Sequence, residues 1–362
     1  MKNPNIRFID DNADWEEKKL SDILCERNIS SIKNSGLEHV SLTKDGVISK
    51  GERYERDFLV TTENKKYKIT KLNDICYNPA NLKFGVICRN KYKNGIFSPI
   101  YITFEINKDY LPNFVELLVT NPDFIKTALM FQEGTVYERM AVSPTNLLSI
   151  HVHLPTLKTQ QKISSLLSNI DQKINAEETL IQKLKDAKSA MLLKMFPQEN
   201  QSVPELRFVG FNNAWEQCKL EDVVDVRSGK DYKHLSEGNI PVYGTGGYML
   251  SVNQALSYNE DAIGIGRKGT INKPYILKAP FWTVDTLFYA VPSQNSDLDF
   301  VFDIFQNIDW KKKDESTGVP SLSKTAINEI DISAPCLEEQ QVIGSYFSKL
   351  DHLITLHQCE CI

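Results

Sequence analysis

The chain writes its own opening twice. Residues 4–24 read PNIRFIDDNADWEEKKLSDIL and residues 204–224 read PELRFVGFNNAWEQCKLEDVV. A shift of 200 leaves nine of 21 positions identical, among them Arg7/Arg207, Phe8/Phe208, Trp15/Trp215 and Leu20/Leu220. A second pair matches with a shift of 180: LPTLKTQQKISSLLSNIDQKI (154–174) against APCLEEQQVIGSYFSKLDHLI (334–354), again nine of 21. The unequal shifts put about 20 extra residues in the middle of the first copy. A period this long exceeds the roughly 20–50 residues of a solenoid repeat. It marks the tandem duplication of a whole domain with its connector, giving two similar frames around unlike middles.

The connector reads as a helix. From Thr159 to Met195 the chain has neither Gly nor Pro, and Pro197 supplies a stop. Alternate steps of four and three from Ile163 land on Leu167, Ile170, Ile174, Glu177, Ile181, Leu184, Lys188, Met191 and Met195, of which seven are apolar. That is the seam of a coiled-coil or bundle helix. The second copy starts the same seam at Ile343, Phe347, Leu350 and Ile354, then reaches His357 and Cys361. The partner of Phe196 would fall 14 residues beyond Ile362, so the second helix is expected to be the shorter. If the two seams pair, connectivity makes the helices antiparallel, with a globular half at each end and pseudo-two-fold symmetry. The expected division is a first globular domain at 1–155, a spacer helix at 156–197, a second domain at 198–334 and a second helix at 335–362.

Between the frames lie short β-prone runs broken by turn residues. KYKIT (66–70), DICYN (74–78), FGVICR (84–89) and IFSPIYITFEI (96–106) read as strands in the first half. IPVYG (240–244), AIGIGR (262–267), PYILK (274–278) and FWTVDTLFYAV (281–291) do so in the second. Helical patterns follow at 111–129 and 299–310, so two α+β domains are the simplest reading.

No apolar run reaches the roughly 18 residues of a membrane span, and no signal core opens the chain. The seven cysteines are odd in number and lack a CxxC pair, which fits reduced thiols in the cytoplasm and no metal site. Net charge is −5, yet residues 50–93 carry eleven Lys/Arg against five Asp/Glu, and residues 227–278 seven against four. Such patches suit a polyanion, with phosphate contacts for affinity and base-edge contacts for specificity; equally, a charge run can be a solvated face. GIGRKGT (264–270) lacks the spacing of a phosphate-binding loop, and YNPANLKF (77–84) lacks the second proline of an amino-methyltransferase motif. Both read as turns, and no catalytic residues are assigned.

With both repeats and both middles in hand, the chain resembles the specificity subunit of bacterial type I restriction–modification systems. The resemblance rests on the duplicated PxxRF…AWE…KL opening, the LPxLxxQQKI…LLSxIDxxI helix start with its second copy, and PVYGTGG…GIGRKGT…FWTVDTLFYA. It implies two target-recognition domains, each for half of a split double-stranded DNA sequence. It further implies helices that set the spacer and dock two methyltransferase subunits, with translocase–nuclease subunits completing the complex. The chain would lack catalysis of its own, and S-adenosylmethionine, ATP and magnesium would belong to its partners, in the bacterial cytoplasm at the nucleoid.

Under that reading, the expected DNA contacts in the second half are Tyr243, Thr245 and Gly246 in one loop and Arg267, Lys268 and Thr270 in another, with Lys230, Lys311, Lys312 and Lys313 on phosphates. The first-half counterparts are Asn78, Asn81 and Lys83, then Arg89, Lys91 and Lys93, with Tyr137 and Arg139 nearby. Trp15 and Trp215 read as core anchors. The rivals are a two-domain adaptor for proteins, spaced by a helical hairpin, and an enzyme hidden in the divergent middles.

Overall fold

The computed structural model describes residues 8, 14–31, 36–50, 66–134, 140–198, 201–314 and 316–360. The chain folds as two units, 1–172 and 173–362. The boundary falls within one unbroken helix.

In the first unit, the strand Glu16–Lys19 pairs antiparallel with His151–Leu154, so the repeated opening closes against the segment that precedes the helix. Behind it stands a four-stranded antiparallel sheet in the order Leu24–Glu26, Ile102–Ile106, Ile75–Tyr77, Ile87–Arg89. Helix α1 (Pro112–Thr120) buries Phe114, Val115 and Val119 in the core that this sheet shares with Leu20, Ile23 and Leu147. A five-stranded sheet carries the extra residues of this half, including the Glu38–Leu42 and Val47–Ser49 hairpin.

The second unit repeats this frame. Glu216–Lys219 pairs with Asp331–Ala334 in the register of the first unit, Glu16↔Leu154 becoming Glu216↔Ala334. The four-stranded sheet runs Val224–Ser228, Leu287–Pro292, Ala262–Gly266, Tyr275–Leu277, the same order of equivalents. A hairpin, Glu237–Gly244 with Gly247–Val252, joined by Trp282–Thr283, takes the place of the five-stranded sheet.

The identical residues of the repeats now have causes. Asp22 and Asp222 accept from the backbone N–H of Lys19 and Lys219 at 3.2 and 2.7 Å, capping the one-turn helix that follows. Gln160 and Gln340 each donate from Nε2 to the carbonyl of the proline five residues earlier, at 3.0 and 2.9 Å, anchoring the long helices to their frames.

Those long helices are α2 (Leu157–Met195) and α4 (Leu337–Glu360). Within the second unit they run antiparallel. Glu177 meets His357 at 2.9 Å, Lys188 meets Asp351 at 2.6 Å, and Leu192, Met195 and Phe196 pack in one core with Ile343 and Phe347. Glu177 and Lys188, the two polar members of the seam, therefore make its polar cross-links. Ile343, Phe347 and Ile354 are buried and Ile181, Leu184 and Leu350 half-buried, whereas Ile163 is half-buried in the first unit.

Three expected elements are broken. The run 96–106 forms two strands, Gly95–Phe97 and Ile102–Ile106, which enter different sheets around a turn at Pro99. The run 281–291 likewise splits into Trp282–Thr283 and Leu287–Pro292, with Asp285 at the break. The 111–129 helix divides at Asn121, whose extended backbone precedes Pro122 and whose side chain accepts from Asp123 N–H at 2.8 Å.

Candidate nucleic-acid interface

In the second unit, the segment Thr283–Thr286 gathers the loops. Lys230 donates its N–H to the Thr283 carbonyl at 2.9 Å, and the Trp282 indole donates to the Lys230 carbonyl at 2.9 Å. Val284 donates to the Tyr243 carbonyl at 3.0 Å, and Arg267 to the Thr286 carbonyl at 2.8 Å. The Arg267 guanidinium lies 5.8 Å from the Phe288 ring centroid and reaches the Asp285 carbonyl at 3.4 Å. Lys268 forms a bridge with Ser321, whose N–H donates to Asp314 Oδ1 at 2.9 Å, directly after the exposed Lys311–Lys313 turn. Trp310 anchors that turn from the core, its indole donating to the Phe305 carbonyl at 2.7 Å.

Thus Lys230, Tyr243, Arg267, Lys268 and Lys311–Lys313 are tied through one short segment and its neighbours. Thr245 and Gly246 form the tip of the hairpin, where Gly247 takes φ 104°, a conformation open to glycine. Gly266 must also be glycine, because a Cβ there would stand 2.0 Å from the Thr270 carbonyl oxygen. Lys230, Arg267, Lys268 and Lys311–Lys313 are solvent-exposed. Among the described residues no ion pair engages Lys230, Lys268, Lys311 or Lys313, and Lys312 pairs only with Asp309 at 3.5 Å.

The first-unit residues fall into two sets. Asn78, Asn81 and Lys83 sit in the connection from Ile75–Tyr77 to Ile87–Arg89, and Arg89, Lys91 and Lys93 lie at the opposite end of that hairpin. The Asn78 side chain is buried and accepts from Ala80 N–H at 3.1 Å, shaping the turn from within. Asn81 precedes the one-turn 3-10 helix that exposes Lys83 and Phe84. Arg89 donates to Glu116 at 3.0 Å and to Asn73 at 2.6 Å; Lys91 also meets Glu116, at 2.8 Å, and Lys93 meets Glu38. Val142 donates to the Pro79 carbonyl as Leu322 donates to that of Arg267, so the Asn78–Lys83 turn is the equivalent of the Arg267–Thr270 loop. Tyr137 and Arg139 lie outside the described residues.

Two features escaped the sequence reading. The exposed Tyr248 and Met249 flank the hairpin tip, with Tyr243 and Tyr248 rings 6.3 Å apart. The spacing YGTGGY, two tyrosines around a glycine turn, carried that signal. Asp285 and Thr286, which hold Arg267 through backbone carbonyls, left no mark in residue type. Among the described residues, no three His, Cys, Asp or Glu side chains gather as a metal site, and no helix is long and apolar enough to cross a membrane. Burial pushes the Cys76 thiol well up and that of Cys88 up to about 12, so neither is a thiolate at neutral pH.

Residues 212–361 match the family model described as the type I restriction modification DNA specificity domain. The chain is 25% identical to the type I restriction enzyme MjaVIII specificity subunit of Methanocaldococcus jannaschii, over 88% of this chain and 79% of that protein. It is 23% identical to the putative type I restriction enzyme MjaX specificity subunit of the same organism, over 96% and 89% respectively. In fold it is similar to the type I restriction-modification S subunit from M. genitalium, with a TM-score of 0.64 at 15% identity, covering 98% of this chain and 94% of that one. A chain from a structure addressing complex assembly and conformational transition of the type I R-M system gives 0.57 at 15% identity, covering 96% and 92%. Residues 212–361 are thus similar to a type I DNA specificity domain, and the chain along most of its length is similar to specificity subunits of type I restriction–modification systems.

Proposed function

We propose that each unit reads one half of a bipartite double-stranded DNA target, while α2 and α4 set the unread spacer and dock two methyltransferase subunits. The observation that carries this reading is internal. The four-stranded sheet recurs with one strand order in both units, while the loops at its ends share almost no residues. Alike frames position two readers; unlike loops specify two unlike half-sites. In the second unit, Arg267 and Lys268, Lys230 and Lys311–Lys313 supply exposed phosphate and base-edge donors, and Tyr243, Thr245 and Gly246 lie at a hairpin tip. In the first unit, the Asn78–Lys83 turn is the stronger candidate, because Arg89, Lys91 and Lys93 are already engaged by carboxylates.

The chain's share is recognition without catalysis. S-adenosylmethionine, ATP and magnesium are assigned to the methyltransferase and to the translocase–nuclease subunits, and base flipping to the methyltransferase pocket. The complex would work where the DNA is, in the cytoplasm at the nucleoid.

The test is a salt-titrated protection assay with the methyltransferase partner on a library of duplexes. Protection of two short blocks separated by an unread gap is expected, with affinity falling as salt rises. Salt-independent binding to random duplex and to unrelated protein alike would favour a protein adaptor instead.

A further inference from the structure

Helix α3 (Leu298–Asn307) carries a buried acid that the shared frame does not need. A common Phe-Val pair aligns Phe114 and Val115 of α1 with Phe300 and Val301 of α3, so Leu117 stands in the first unit where Asp303 stands in the second. Asp303 is 1% exposed, and its Oδ2 has no hydrogen-bond partner among the described residues. It lines a cavity of about 140 Å³ between α3 and α4, together with Ile276, Asp299, Phe302, Ser348 and Asp351. Asp299 lies one turn before Asp303 on α3, and Ser348 and Asp351 share a face of α4. The cation of this cluster, Lys188 of α2, spends its three donors on Gln306 at 2.5 Å and on the two oxygens of Asp351 at 2.6 Å. Lys278, just after the strand Tyr275–Leu277, is held by Asp261 at 2.8 Å. With Asp297 at the cap of α3, four aspartates thus share one lysine, and burial pushes the Asp303 carboxyl up to about 9.

We infer that this cavity binds a guanidinium group. Among the described residues no three carboxylates gather as a metal site, so the acceptors are set apart around the space. Such spacing suits a cation that spreads its donors over a plane. A guanidinium offers five N–H donors in a fixed fork, and its faces are weakly hydrated. Its edge would meet Asp299 and Asp303, and its faces the apolar Phe302 and Ile276. A primary ammonium concentrates the same charge at a point, and Lys188 already fills that place beside Asp351. A bound cation favours the charged carboxylate, so Asp303 gives up its proton as the ligand enters. The charged groups that face Asp303 are Lys188 on α2, Asp297 and Asp299 on α3 and Asp351 on α4, while Lys278 acts on Asp299.

The probe is ethylguanidinium chloride, titrated into the full-length chain by calorimetry near neutral pH in two buffers of different ionisation heat. Saturable binding is expected, with release of about one proton per site. Ethylammonium and magnesium chlorides should bind at least about tenfold more weakly. Asp303→Leu, which installs the side chain of the first unit's counterpart, should still unfold cooperatively while losing both the binding and the proton release. Asp299→Asn should weaken binding severalfold. N-acetylarginine methylamide separates the two sources of a guanidinium. Binding as tight as that of ethylguanidinium assigns the cavity to an arginine side chain of a protein, and its exclusion assigns the cavity to a free small molecule. No saturable binding by the folded wild type, binding without proton release, equal binding of magnesium or ethylammonium, or binding that survives Asp303→Leu would each overturn the inference. The test contains no DNA, so this site and the DNA reading can fail separately.

Discussion

Arg267 shows how little separates a positioning contact from a reading one. Its backbone is fixed on both sides by the Thr286 carbonyl and the Leu322 N–H, while its guanidinium rests near Phe288 and stays exposed. If it reads a base edge, Arg267→Ala relaxes one position of the half-site at a cost of about 1–3 kcal/mol. A uniform loss across sequences with a smaller salt slope would make it a phosphate contact, and salt-resolved binding to a mismatch series separates the two. Asp303 gives a second prediction. Burial, opposed by Lys188 of α2 and reinforced by Asp351 of α4 and by Asp297 and Asp299 at the start of α3, pushes its carboxyl up to about 9. Its folded pKa therefore lies above its unfolded one. The stability it contributes is full below about pH 4 and is lost as pH rises toward 9, by at most about 1.4 kcal/mol per pH unit. Asp303→Asn should flatten that fall while matching the wild type in acid. Urea midpoints of the two proteins between pH 5 and 8 that stay parallel would count against it.

At the scale of elements, the decisive contact is where α4 meets α3. Gly344 lies inside α4, where glycine costs about 1 kcal/mol of helix propensity relative to alanine. It is retained because a Cβ would stand 2.5 Å from Asp297 Oδ1 and 2.6 Å from the Phe300 backbone nitrogen. The start of α3, capped by Asp297 at 3.0 Å, presses directly on the helix. Gly344→Val is expected to destabilise the second unit by about 1–3 kcal/mol, read by urea unfolding, because two branches must enter a filled gap. The equivalent residue in α2 is Ser164, so the repeat alone did not announce this closeness. The helices themselves were legible, since their seam is a local periodicity. The broken strands were not: an apolar run records burial, and burial in one sheet or in two leaves the same residues.

For the whole molecule, the two units make separate stability predictions. In the first, Arg27 and Asp74 form a buried pair at 2.8 and 3.0 Å between positions 47 apart in sequence. Burial raises the Asp74 carboxyl while Arg27 and the Lys71 N–H hold it down. Arg27→Met leaves that carboxylate buried and should cost the first unit about 3–5 kcal/mol. Combined with Gly344→Val, the two losses should add within about 0.5 kcal/mol, since the sites share no partner. Calorimetry of the two single variants and the double variant measures this, and a strong departure from additivity would show the units coupled.

Periodicity, turn residues and self-similarity are carried by neighbours in the chain. They were enough to establish the duplication, the two long helices with their polar seam positions, the α+β class and the middles as the variable regions. Which loops converge was settled only by pairing across long sequence separations. That pairing gathered Lys230, Tyr243 and Arg267 around Thr283–Thr286, made the Asn78–Lys83 turn the counterpart of the Arg267 loop, and tied Arg89 to Glu116. The same holds for the tryptophans of the repeated opening. Identical in sequence, one is buried under Phe196 and the other faces an open groove, because burial depends on what the rest of the chain brings to the site.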